Sequence, residues 1–154
     1  MSLFYTFYGA ADAIPAEFRT LIAETVGARE VSADTVIRDG MNVTVHRVAE
    51  DDPEDSTGKY FGFTEHISAT FTFDNLAPPE ERDGNVVRMV AAVLAVLEAW
   101  HGPGVLLHNG ERAVLQRLDD GIEFDSGWDE WAEIDGVAPL MSAHVTRRLG
   151  QPLL

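Results

Sequence analysis

Residues 66–74, HISATFTFD, decide the fold. Ile67, Ala69, Phe71 and Phe73 alternate with His66, Ser68, Thr70, Thr72 and Asp74. A period of two over nine residues predicts a strand with one buried face and one polar face. Downstream, residues 75–84 (NLAPPEERDG) read as a Pro-rich connection, and 85–100 as a helix that is apolar nearly all round, with Arg88 and Glu98 near its ends. Such a helix belongs in a core, against a sheet. His101-Gly102-Pro103-Gly104 ends it. Residues 105–108 and 111–118 then flank Asn109-Gly110, a pair that tolerates the positive φ of a two-residue hairpin turn.

Upstream, aromatic and β-branched residues at 3–8 predict a first strand. Pro15 opens a helix on which Ile14, Phe18, Leu21, Ile22, Thr25 and Val26 recur at helical spacing, and Gly27 stops it. Asp39-Gly40 joins 35–38 to 42–48 as another hairpin, and the acidic stretch 49–58 (AEDDPEDSTG) reads as an exposed loop. A last helix is expected over 137–149, closed by Arg147, Arg148 and Gly150. The order β-α-ββ-β-α-ββ-α predicts an α+β fold in one domain, 1–154: a mostly antiparallel sheet built from hairpins, with two to three helices packed on it.

Composition narrows the function. The 154 residues hold 26 acidic and 11 basic side chains, a net charge of −15, and no cysteine. That excludes disulfides and thiolate chemistry and fits a cytoplasmic location. The field repels nucleic acid and anionic membranes and attracts a basic protein. The longest apolar run, 89–97, has nine residues, far below the ~20 that cross a bilayer. The first residues, MSLFYTFYGA, lack the basic start of a secretory signal.

Catalytic signatures are absent: there is no GxGxxG, GxxxxGK[ST], HExxH or GxSxG, so no cofactor is implied. The histidines at 46, 66, 101, 108 and 144 do not fall at the spacing of paired metal ligands, so no metal is expected. Glu65 beside His66 is the pair an acid/base enzyme would use, but neighbours on a strand point to opposite faces. Glu50, Asp51, Asp52, Glu54 and Asp55 lack the alternation of a calcium loop and read as a solvated charge run with at most weak cation affinity.

The segment 122–135, IEFDSGWDEWAEID, says more. It sets Glu123, Asp125, Asp129, Glu130, Glu133 and Asp135 beside Phe124, Trp128 and Trp131, with no basic residue. A helical turn would place Trp128 and Trp131 on one face. Both rings closing the core is one reading. The other is a partner-binding surface of Trp128, Asp129, Glu130, Trp131 and Glu133, an aromatic anchor ringed by charge that steers a basic partner.

HISATFTFDNL (66–76), VVRMVAAVLAVLEAW (86–100) and GVLLHNGERAVLQRL (104–118), in that order, resemble the Sit-type immunity proteins of bacterial kin-discrimination systems. The opening LFYTFYG (3–9) is similar to that family's start. The resemblance implies a cytoplasmic antidote that binds a cognate protein toxin and blocks it without catalysis; it carries over no site residue. The acidic loop 49–58 and the tail beyond Leu118 depart from the family pattern. Two other readings stand beside it: a small hydrolase or ligand-binding domain with a pocket between sheet and helices, using Glu65 and His66, and a homo-oligomeric structural protein.

Overall fold

The computed structural model describes residues 3–48, 57–119 and 121–151. The alternating stretch forms β5 (Ile67–Phe73), and its four apolar side chains are buried against the helices. β1 (Leu3–Gly9) lies beside it, and β6 (Gly104–His108) pairs on β1's other side. The first strand therefore runs through the middle of the sheet, which is why Tyr5 and Phe7 are as deeply buried as the residues of β5.

The hairpin of β3 (Thr35–Arg38) and β4 (Met41–Arg47) turns at Asp39-Gly40, with Gly40 at φ +79. That of β6 and β7 (Arg112–Arg117) turns at Asn109-Gly110, where both residues have positive φ. With β2 (Arg29–Glu30), β8 (Glu123–Asp125) and β9 (Val145–Arg147), the sheet runs β2-β3-β4-β5-β1-β6-β7-β8-β9. Every pairing is antiparallel except β8 with β9, so the expected α+β architecture holds.

α1 (Pro15–Val26) starts at its proline and ends on left-handed Gly27, as its sequence predicts. Arg38 Nη1 adds a 2.7 Å bond to the Val26 carbonyl. α2 spans Pro79–Ala99, six residues earlier than expected: the "connection" PPEE is itself a helix start. Pro79 needs no N–H donor at the first position, and Glu80 and Glu81 face the positive end of the helix dipole. The C-terminal carbonyls of α2 would be left without partners. Arg117 of β7 reaches across to Leu97, Trp100 and Gly102 and supplies the donors.

Both long helices cover one face of the sheet around Phe18, Ile22, Met89, Val93 and Leu97. On the other face Val105, Leu107 and Ala113 lie under Tyr8, Phe61 and Phe63, the last two carried by a 3-10 turn (Thr57–Phe61) and the bend after it. Most of the acidic stretch 49–58 lies outside the described residues.

The expected helix over 137–149 is corrected. Only Val137–Met141 is helical (α3), and Val145–Arg147 returns as β9. Val145 and Thr146 are β-branched, which favours a strand. Arg147, read as a helix-terminal cation, is bound instead to Glu123 of the neighbouring strand. Leu149 is buried, and its N–H donates to Asp125 at 3.2 Å, which draws the chain back onto the sheet.

Candidate functional site

Tyr5, His108 and Arg112 stand opposite one another on three adjacent strands, β1, β6 and β7. The tail 126–136 folds over this row. Trp131, at the end of a 3-10 turn (Asp129–Trp131), enters the core at 2% exposure and donates from Nε1 to the Tyr5 hydroxyl at 3.3 Å. Trp128 stays at the rim, half-buried. Its ring lies 4.6 Å from the His108 ring, and the Arg112 guanidinium sits 5.5 Å from its centroid. His108 in turn meets the Tyr5 ring at 5.1 Å.

The two tryptophans thus play different parts. Trp131 packs against Tyr5 in the core, whereas Trp128 packs against His108 and Arg112 and keeps solvent contact. Asp129, Glu130, Glu133 and Asp135, in the same segment, are all exposed. The ion pairs among the described residues are Arg19–Glu30, Arg47–Asp12, Arg112–Asp125 and Arg147–Glu123, so none of these four carboxylates is neutralised.

This end of the molecule gathers further carboxylates. The Asn109 N–H donates to the Phe4 carbonyl at 2.8 Å, placing the turn with Glu111 beside the start of β1. Asp74 N donates to the Gly40 carbonyl at 2.9 Å, and Asn85 of α2 donates to the Asp39 carbonyl at 3.0 Å. Gly136 lies against Val87, so the tail also borders the first turns of α2, with Glu80, Glu81 and Asp83.

Burial, with a smaller push from the Glu130 charge, drives the Tyr5 hydroxyl up to about 12 against the opposing Trp131 N–H. Burial also lowers the His108 pKa; Glu130 and Glu111 oppose the shift, and Arg112 reinforces it. Burial alone would raise the Asp125 carboxyl, but the Leu149 N–H, the Arg112 guanidinium and the Gly127 N–H together hold it below the usual carboxylate range. Asp125 belongs to the predicted acidic segment yet is 3% exposed, a structural anion that fastens the C-terminal segment.

Glu65 is buried and accepts the Gly58 N–H at 3.2 Å, while His66 is held by its backbone to Gly9 and Val48. Among the described residues, no three His, Asp or Glu side chains gather as metal ligands, and no helix is long and apolar enough to cross a membrane. Sequence reasoning missed His108 and Arg112 as neighbours of Trp128, because only the register of β1, β6 and β7 aligns them.

Fold and site define a class: an α+β domain with a half-buried tryptophan at its rim and, in the same segment, exposed carboxylates that make no ion pair among the described residues. Residues 3–135 match the SitI3-like family, and the chain belongs to it, in keeping with its resemblance to Sit-type immunity proteins. No curated protein and no solved structure matches the chain.

Proposed function

We propose that this chain neutralises a cognate toxin domain by stoichiometric binding in the cytoplasm, with no catalytic step of its own. Family membership supports an immunity role, and one structural observation supports the surface: Asp129, Glu130, Glu133 and Asp135 are exposed in the segment that carries Trp128 and make no ion pair among the described residues. Carboxylates so arranged repel one another in the free protein, and a basic partner relieves that repulsion on docking. Trp128 is the anchor, and the His108 ring and the Arg112 guanidinium pack against it. A toxin that uses an electropositive cleft to bind nucleic acid is the kind of target such a surface blocks.

The test is protection of cells. Co-expression with a cognate toxin domain, sought first in the neighbouring reading frame, is expected to restore growth, and the purified pair to co-elute at one-to-one stoichiometry. A double variant Glu65→Gln with His66→Asn should protect as well as the wild type. Loss of protection in a folded double variant that still binds the toxin would favour the hydrolase reading.

A further inference from the structure

Beside Trp128 lies a cavity of about 380 Å³, lined by Arg112, Asp125, Ser126, Gly127, Arg148 and neighbouring residues of the C-terminal segment. Its one anion is saturated. Asp125 Oδ1 accepts the N–H groups of Gly127 at 3.3 Å and Leu149 at 3.2 Å. Oδ2 accepts Arg112 Nη2 at 2.8 Å and Gln151 Nε2 at 3.5 Å. Four donors fill the capacity of a carboxylate, so Asp125 has little left to offer a ligand.

The groups left in the cavity wall are mainly donors, two guanidinium groups and a hydroxyl that can also accept. Arg112 Nε is buried without a hydrogen-bond partner. Arg148 is exposed and makes no ion pair with a described residue. The Ser126 hydroxyl likewise makes no hydrogen bond among the described residues. Gly127 lets the wall close: a Cβ there would stand 2.8 Å from Arg112 Nη2. With Arg112 and Arg148 against Asp125, the local charge is +1 inside a domain of net −15.

We propose that this notch receives a carboxylate of the partner protein, seated on Arg148 and Ser126 with Arg112 behind them. A guanidinium matches a carboxylate in charge and in planar geometry. The inference rests on the toxin-binding reading and extends it. The acidic rim draws a basic partner on without fixing its orientation. A single basic notch at the rim's edge admits only the pose that places an acidic group there, which sets register and rejects toxins lacking it.

The notch can be read without the toxin. In the ¹⁵N-labelled full chain, the Arg112 and Arg148 Nε–H signals are followed against sodium acetate, with sodium chloride at matched ionic strength as reference and inorganic phosphate as a second probe. Acetate is expected to give saturable shifts with a Kd on the order of millimolar, weakened about fivefold or more in Arg148→Gln. Shifts that track chloride, or saturation by phosphate but not acetate, overturn the proposal. With the toxin domain, Arg148→Glu is expected to weaken binding by about tenfold. Acetate saturation with unchanged toxin affinity in Arg148→Glu also overturns it. A wild-type chain that binds no toxin overturns the parent reading instead, while the acetate titration still reports on the notch.

Discussion

Replacing Trp131 and Trp128 by alanine separates stability from binding. Trp131 is 2% exposed, lies 5.9 Å from the Tyr5 ring and 6.3 Å from Phe124, and donates a hydrogen bond to Tyr5. Trp131→Ala removes the whole ring from a packed core, a change that costs about 3–5 kcal/mol. For a domain whose total stability is about 5–15 kcal/mol, that is a large share. At about 2–4 °C per kcal/mol, the melting temperature should fall by roughly 6–20 °C. Trp128→Ala forfeits the His108 ring contact, the Arg112 cation–π contact and the edge packing of a half-buried ring, about 1–2 kcal/mol together. Its melt should shift by no more than about 8 °C. Toxin affinity, however, should fall about tenfold or more, through faster dissociation. Thermal melts of both variants, followed by binding kinetics at a temperature where both are folded, make the comparison. A Trp131→Ala melt within 2 °C of wild type, or a larger drop for Trp128→Ala than for Trp131→Ala, would refute the reasoning.

Three more expectations follow from the same geometry. Arg117→Ala removes the charged donor that serves the end of α2, and denaturant titration should show a loss of about 2–4 kcal/mol. His108 has a lowered pKa in the folded state, so the folded protein favours the neutral ring. Its contribution is complete above the unfolded value of about 6.5 and is lost as pH falls below it. Between pH 7.5 and 5.5, wild type should therefore lose more stability than His108→Gln, and equal losses would count against the buried ring. Finally, unpaired carboxylates imply self-repulsion, so the melting temperature should be higher in 0.5 M than in 0.02 M NaCl. A drop with salt would mean that ion pairs outweigh the repulsion.

Local chemistry made much of the fold legible. Alternation at 67–73, Pro15 with Gly27, and the two turn pairs Asp39-Gly40 and Asn109-Gly110 each determine backbone geometry within a few residues, and each forms as expected. What was missed depends on distant partners. The C-terminal segment carries a helical pattern with basic residues at its end, yet Glu123 and Asp125 capture Arg147 and the Leu149 N–H and pull it into a parallel edge strand. The start of α2 was misread because Pro78 and Pro79 suggest a linker when the acidic residues after them are left unweighed. The candidate site was legible as a composition, two tryptophans among carboxylates, but not as a geometry. Nothing within 122–135 says that Trp131 goes under Tyr5 while Trp128 stays at the rim, nor that His108 and Arg112 flank it. Those facts come from strand register.

The most direct test of the account is the association rate of the cognate toxin domain with wild type and with the triple reversal Asp129→Lys, Glu130→Lys and Glu133→Lys, measured across a salt series. All three side chains are exposed and outside every ion pair among the described residues, so the variant should fold normally. The account predicts association slowed about tenfold or more at low salt, with a flattened salt dependence. A folded triple variant that binds the toxin with wild-type kinetics at every salt concentration would contradict it.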